Sequence, residues 1–412
     1  MAVCCEDNEH DPNAKSVEEA LDIILAASEP VVESEWLCLD NALDRVLARD
    51  VLATQPIPAW PNSAMDGYAL RSSDGDSPRR IIGRAFAGRP FLGQVGPGEA
   101  VRIMTGAVVP ADCDSVIPQE QCAANDDILQ LHAPVRPGAN IRGIGEDLAA
   151  GELALPAGTL LRPSQLGVLA SLGRSEVEVF RRLRVAFFST GDELQPLGRP
   201  LQAGEIYDSN RHSLLALLRR LGVEAIDFGR IDDDPDRIAA TLQQAAKVAD
   251  LVLTSGGVSV GDADYVAELL QNLGSVQFWK MNMKPGRPLA YGRIGTADFF
   301  GLPGNPVSTI VTFYQFVAPA LRKRMGCRAP WVAPRLRLPC ATALRKKPGR
   351  TDFQRGRLVA SAEGLQVAPV KAQSSHILTG MAQAECFMVL PAEAGDLPAG
   401  TLVEVQLLEG LV

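Results

Sequence analysis

Apolar positions change their period along the chain, and each change marks a new segment. Over 16–27 the apolar groups Val17, Ala20, Leu21, Ile24 and Leu25 recur at helical spacing behind Ser16-x-x-Glu19, a capping box. A second helix is expected over 41–48. From 56 to 143 short alternating runs broken by Gly and Pro, such as Val101-Arg102-Ile103-Met104-Thr105-Gly106, predict a small β domain. Residues 144–180 hold the turn Pro156-Ala157-Gly158-Thr159 and a helix near 163–172, and would rejoin residues 1–55 in one helical and linker domain.

An α/β pattern then occupies 181–327. Strands are expected over 183–188, 223–229, 249–253, 276–280 and 299–301, with helices over 213–221, 263–270 and 307–320. Asn210 or Ser209 would cap the first of these helices and Gly222 would stop it; Asp234 would cap another that opens with Pro235. The pattern predicts a doubly wound α/β domain of about five strands. Alternation returns over 335–338, 365–367, 386–390 and 402–406, which reads as a carboxyl-terminal β-barrel over 328–412. The fold class is therefore multidomain α/β plus β.

With 412 residues, 46% apolar and 22% charged, the composition is that of a soluble globular protein. No apolar run approaches the ~20 residues that span a bilayer, so no membrane partner is expected. The acidic start, Met1 to His10, lacks the apolar core of a signal peptide, which makes the cytoplasm the expected location. Eight cysteines without any C-x-x-C pair read as reduced thiols. A net charge of −9 argues against nucleic acid as a partner. It also sets an anionic ligand against the long-range field, so local cations, helix ends and a divalent metal would have to hold it.

Candidate chemistry gathers where three strands end in Gly- or Pro-rich turns: Ser255-Gly256-Gly257, Met283 to Pro288, and Leu302 to Pro306. In an open α/β sheet such turns line one crevice. Backbone N–H groups at Gly256 and Gly257 can cradle an anion, and Lys284 and Arg287 flank a rigid Pro-Gly with full positive charge. That combination suits a phosphorylated ligand. Neither a Walker motif nor G-x-G-x-x-G is present. Gly257-Val258-Ser259-Val260-Gly261 does fit the nucleophile elbow of a serine hydrolase, but only His376 follows Ser259 and no H-G-G-G motif occurs.

An ordered set of motifs spans nearly the whole chain. It comprises Asn62-Ser-Ala-Met-Asp66-Gly-Tyr-Ala69, Ile103-Met-Thr105-Gly-Ala107, Asn140-Ile-Arg142 with Gly145-Glu-Asp147, and Ser189-Thr-Gly-Asp-Glu193-Leu194. It continues with Ile206-Tyr-Asp-Ser-Asn210, Ser255 to Asp262, Lys284-Pro-Gly286 and Gly301-Leu-Pro-Gly-Asn-Pro306. In this set the chain resembles the molybdopterin molybdenumtransferases, which are similar to the carboxyl-terminal domain of gephyrin. The resemblance implies an enzyme that takes adenylated molybdopterin and molybdate, uses Mg²⁺, and releases AMP and molybdenum cofactor. It further implies a homodimer whose site is completed by the partner's small β domain. A molybdopterin adenylyltransferase would stand upstream, and molybdoenzymes or their chaperones downstream. A non-catalytic scaffold of the same fold is the alternative.

The match also implies residue roles. Glu193 and Asp233 would serve the cation and phosphate, with Asp264 beside the Gly-rich turn; Asp66, Thr105 and Asp147 would act from the small β domain. Ser255, Gly256, Gly257, Ser259, Lys280, Lys284 and Arg287 would bind the cofactor, with Pro303 and Pro306 shaping their turn. Arg355 and Ser375 match positions near the molybdate or pterin pocket. Simpler readings exist: Asp233 in an Asp-Asp-Asp-Pro helix start, Glu193 in a helix's first turn, and Asp66 as a turn residue before Gly67. Arg142-Gly143-Ile144-Gly145 lacks the extra basic residues of many relatives, and residues 1–15 have no counterpart.

Overall fold

The Ser16 hydroxyl accepts from the Glu19 N–H at 3.1 Å while the Glu19 carboxylate accepts from the Ser16 N–H at 2.9 Å, so the capping box closes as spelled. Helix α1, Val17–Ala27, follows with Val17, Ala20 and Ile24 buried. This computed structural model describes residues 13–256, 270 and 273–408. The chain divides into two compact units, one of Met1–Glu35, Asp44–Ala48 and Val179–Val412, the other of Trp36–Leu43 and Arg49–Glu178. The helix expected over 41–48 does not form. A 3-10 turn, Leu39–Asn41, is followed by Asp44 at φ 59°, a left-handed conformation that ends any helix.

The second unit is built on β1 (Gly67–Leu70), β2 (Arg79–Ala85), β3 (Glu99–Ile103), β4 (Ser115–Pro118), β5 (Cys122–Asn125) and β6 (Ile128–Leu131). They form one sheet in the order β4-β1-β3-β2-β6-β5, antiparallel except between β2 and β3. Sequence neighbours Tyr68 and Ala69, Ala100 and Val101, and Val116 and Ile117 fall into different core clusters, so both faces are covered. Gly67 is dictated by close approach, since a Cβ there would lie 2.0 Å from the Ile117 carbonyl oxygen. Helix α2, Pro163–Ser171, belongs to the same unit.

In the first unit the α/β elements are β7 (Arg184–Thr190), α3 (Ser209–Arg220), β8 (Glu224–Ile231), α4 (Pro235–Val248), β9 (Leu251–Ser255), β10 (Gly274–Lys280), β11 (Pro288–Ile294), β12 (Ala297–Leu302) and α5 (Pro306–Thr312). The sheet order is β8-β7-β9-β12-β11-β10. The first four strands are parallel, while β11 runs antiparallel to both β12 and β10. Six strands form rather than five, and the sheet is mixed. The cause lies in the links: 281–287 and 295–296 are too short for the crossover that parallel neighbours need. Ala186, Phe188 and Val252 meet Ile238, Leu242 and Ala245 of α4, whereas Val185, Phe187, Leu251 and Leu253 are buried on the opposite face.

Asp208, not Asn210 or Ser209, caps α3 by accepting from the Arg211 N–H at 3.1 Å. Asp234 caps α4 through the Asp236 and Arg237 N–H groups. Beyond α5 the helix continues through a π turn, Phe313–Val317, into α6, Ala318–Arg324.

The remaining elements are β13 (Arg335–Pro339), β14 (Thr351–Ser361), β15 (Gly364–Pro369), α7 (Leu378–Ala382), β16 (Cys386–Leu390) and β17 (Leu402–Leu407). Ladders run β15-β14-β16-β17-β13, and a single bridge from Cys340 to Val367 spans the remaining gap. The expected barrel is thus a curled, incompletely laddered sheet. Its longest strand divides its partners: β14 pairs with Met283–Lys284 at one end and with β15 at the other. Six cysteines among the described residues are unpaired, and burial pushes the Cys113 and Cys386 thiols up to about 12. No described helix is long and apolar enough to cross a membrane.

Asp208→Ala removes the α3 cap and the acceptor of the Ser189 hydroxyl at 3.1 Å. The expected cost is about 1–2 kcal/mol of stability, read from urea unfolding followed by circular dichroism.

Candidate active site

Thr190 of β7 pairs with Ile231 of β8, so the segments that follow, Gly191-Asp192-Glu193 and Asp232-Asp233, leave the sheet side by side. Gly191 has φ 148°, and a Cβ there would lie 2.7 Å from a Glu193 carboxylate oxygen; glycine lets that carboxylate fold back. The Asp233 N–H donates to the Asp192 carboxylate at 3.1 Å. Asp232 is neutralised by Arg230 and Arg237, and Arg230 also donates to the Leu194 carbonyl at 3.2 Å, which ties the two segments together. Asp233 holds its proton more tightly than an ordinary aspartate, first because it is partly desolvated and then because Asp192 and Glu193 crowd it. Glu193 heads no helix: the strand Leu194–Gln195 follows it and pairs with Ile206–Tyr207. Among the described residues no three acidic, His or Cys groups form a ready-made metal site.

The next turns share this edge. Gly256 has φ 93°, and a Cβ would meet the Thr190 carbonyl oxygen at 2.6 Å. Asn210, released from capping, donates to the Ser255 hydroxyl at 2.8 Å and to the Gly304 carbonyl at 2.7 Å, joining the turn after β9 to the turn after β12. Sequence reasoning placed Asn210 as a possible cap and as the end of the Ile206-to-Asn210 motif, with no site role; its carboxamide, with donors able to reach two strands' ends, was the available signal. Gly257, Ser259 and Asp264 lie outside the described residues. Lys280 ends β10, and Met283–Lys284 pairs with Thr351–Asp352 of β14. Gly286, at φ 102°, brings the backbone before Arg287 against Thr312. Pro303 offers its carbonyl to the Thr309 hydroxyl at 2.6 Å, and Pro306 opens α5.

Arg355 is fully buried. Its Nη2 donates to the Ala372 carbonyl at 2.8 Å and its backbone N–H to Gln373 at 2.9 Å, but Nη1 has no partner. The Ser375 carbonyl accepts from the Val307 N–H at 3.2 Å at the start of α5. His376 is exposed and its ring meets the Ser374 hydroxyl at 2.9 Å, a local turn contact.

In the second unit Asp66, just before β1, accepts from both the Thr105 N–H and the Thr105 hydroxyl, each at 2.7 Å. Those bonds hold the Asp66 carboxyl below the usual range, the backbone one contributing most. Asp66 is therefore more than a turn residue. Asp147 is exposed and its N–H donates to the Ile57 carbonyl at 3.0 Å.

Residues 15–173 match the MoeA N-terminal region (domain I and II), 186–323 a probable molybdopterin binding domain, and 337–408 the MoeA C-terminal region (domain IV). The chain is 43% identical over 378 residues to a molybdopterin molybdenumtransferase of Haemophilus influenzae, covering 91% of this chain and 94% of that one. The chain belongs to the molybdopterin molybdenumtransferase family. A Nostoc enzyme of that name is 40% identical over 310 residues, covering 73% of this chain and 71% of its own. The crystal structure of a molybdopterin biosynthesis MoeA protein from Pyrococcus horikoshii superposes with a TM-score of 0.82 at 28% identity, covering 96% of this chain and 100% of that one. Asp66, Thr105 and Asp147 fall in the first matched region of the family, Glu193, Asp233, Lys280 and Lys284 in the second, and Arg355 and Ser375 in the third.

Because the folded state raises the Asp233 proton affinity, this group favours folding as pH falls through its folded pKa and costs stability above it. Asp233→Asn is expected to raise the thermal midpoint at neutral pH in metal-free buffer, with the gain vanishing below the ordinary aspartate range. Thermal melts of both proteins across pH check this.

Proposed function

We propose that this protein inserts molybdenum from molybdate into adenylated molybdopterin, with Mg²⁺-dependent hydrolysis of the adenylate and release of AMP. The observation that carries the reading is the carboxylate cluster at the ends of the neighbouring strands β7 and β8. Asp192, Glu193 and Asp233 gather there while arginines neutralise only Asp232. Mg²⁺ is held by one or two carboxylates together with phosphate oxygens and water, so a pair such as Glu193 and Asp233 suffices without a protein cage. When bound, the cation supplies positive charge to a phosphoanhydride under attack by water.

The chain's own residues do the rest. Asn210, Ser255 and the Gly256 backbone fix the edge against which the phosphate would lie, and Lys280, Lys284 and Arg287 bring cations from the turn after β10. Arg355 suits molybdate: a buried guanidinium with an unpartnered Nη1 favours an oxyanion, and Ser375 directly follows Ser374, whose carbonyl, with that of Ala372, orients it. Ser259, Gly257, Asp264, Pro303 and Pro306 complete the cofactor side on this reading, and Asp66, Thr105 and Asp147 act from the partner's small β domain in a homodimer. The working domain division is 1–55 with 144–180, 56–143, 181–327 and 328–412. A cytoplasmic enzyme between a molybdopterin adenylyltransferase and the molybdoenzymes or their chaperones fits this chemistry.

AMP release from adenylated molybdopterin, with molybdate and Mg²⁺ each present or omitted, tests the proposal. Release should need both additions and fall about a hundredfold or more in Asp233→Ala. Arg355→Lys, which keeps the charge but not the fork, should raise the molybdate concentration required by about tenfold. Tight binding without release would replace the enzyme by a scaffold of the same fold.

A further inference from the structure

Lys284, one of the cations assigned above to the phosphate, sits on a strand of only two residues. Met283–Lys284 pairs in parallel with Thr351–Asp352 of β14, with Lys284 opposite Asp352, and the Thr351 N–H donates to the Asn282 carbonyl at 3.1 Å. Register partners in a ladder project to the same face. The Lys284 and Asp352 side chains accordingly line the same cleft.

A carboxylate opposes an anionic ligand unless it serves the cations around it. Asp352 is half-buried, and its Oδ2 accepts from the Gln354 side-chain amide at 2.9 Å; that amide also donates to the Arg345 carbonyl at 2.8 Å. Gln354 is itself buried, so the carboxylate is anchored from within β14. The positive charges that act on it are Lys284, Lys346 and Arg350. Lys346 is committed elsewhere, since its ammonium donates to the Lys347, Ala392 and Ala394 carbonyls. Arg350 belongs to the turn that precedes β14, whereas the Lys284 backbone is fixed beside Asp352 by the ladder. Lys284 is therefore the cation whose position Asp352 can set. A lysine carries a point charge on a flexible four-carbon stem, and a carboxylate that holds it beforehand removes the cost of ordering it from ligand binding.

We propose that Asp352 is a positioning residue, which holds the Lys284 ammonium where the phosphate of the adenylated substrate arrives. The inference rests on the function proposed above and adds a residue to it: Asp352 acts through Lys284 rather than on the ligand itself.

A double-mutant cycle tests this, read from AMP release with molybdate and Mg²⁺ and from calorimetric binding of adenylated molybdopterin without molybdate. Asp352→Asn should raise KM about tenfold and leave kcat within about twofold. In a Lys284→Ala background the same change should add less than about twofold, while in Arg350→Ala it should keep its full effect. Gln354→Met, which frees the carboxylate from its anchor without removing its charge, gives a second route: a smaller rise in KM, again absent with Lys284→Ala. The ratio of the Asp352→Asn KM to that of the wild type should fall toward one as pH falls, because protonation discharges the wild-type carboxyl. The fall begins above the ordinary aspartate range, since desolvation makes Asp352 hold its proton more tightly despite the Gln354 bond and the Lys284, Lys346 and Arg350 charges. The other charged groups of the cleft are Arg345, Lys347, Lys371 and Asp396, and Leu390, its partner on β16, brings none. Additive effects of Asp352→Asn and Lys284→Ala, or a loss that falls on kcat alone, overturn the proposal. A wild type that binds the substrate without releasing AMP sinks the enzyme reading, and the same cycle on Kd still decides for or against Asp352. A wild type that does not bind it overturns both. Matching thermal midpoints establish that the variants are folded.

Discussion

Parallel register is the constraint from which the site follows. Once β8, β7, β9 and β12 run the same way, their carboxyl ends must emerge on one edge, whatever residues they carry. The antiparallel ribbon of β11 and β10 then returns the end of β10, with Lys280, to that same edge. Gly191, Gly256 and Gly286 let the turns fold closely, because each has positive φ and faces an atom that a side chain would strike. Chemistry is concentrated by topology before any side chain is chosen.

Electrostatics explains the choice of side chains. An acidic protein that handles anions needs charge at short range, where it outweighs the distant field. Asp232 shows how selective the arrangement is, since two arginines compensate it while its neighbour Asp233 is left crowded by Asp192 and Glu193. A surface ion pair of this kind contributes little to stability. Its clearer effect is to hold two chain segments in place and to leave negative charge where a cation could use it.

Much of this was legible in the sequence, and the failures have physical causes. The capping box, the Asp234 cap and the glycine-terminated strands depend on local chemistry and formed as read. The helix over 41–48 failed because apolar spacing says nothing about Asp44 in a left-handed conformation. Strand β14 escaped notice because Gln354 and Arg355 are polar yet buried, which erases the alternation a strand normally shows. The mixed sheet required knowledge of which strands pair, and hydrophobic period does not carry that. Individual roles for Glu193, Asp66 or Arg355 came from resemblance; no periodicity distinguishes a ligand carboxylate from a cap. What the folded chain adds is company: Asp66 with Thr105, Asn210 with Ser255 and Gly304.

Two buried cations of the C-terminal region, Lys346 in the loop before β14 and Arg355 on β14 itself, differ in how their donors are satisfied. Lys346 has three donor hydrogens and three carbonyl partners, so its burial is complete and consistent with a structural role. Arg355 has five donors, and its contacts to the Ala372 and Ser374 carbonyls occupy only Nε and Nη2. Among the described residues it is the only arginine whose unpartnered buried atom is a terminal Nη. Leaving such donors dry costs roughly 1–3 kcal/mol per group, more when charged. An enclosed guanidinium that tolerates this deficit is stable in its pocket only because the surrounding sheet holds it there, and an oxyanion would remove the deficit on binding. The proposed ligand role of Arg355 rests on this asymmetry between the two cations rather than on their shared charge.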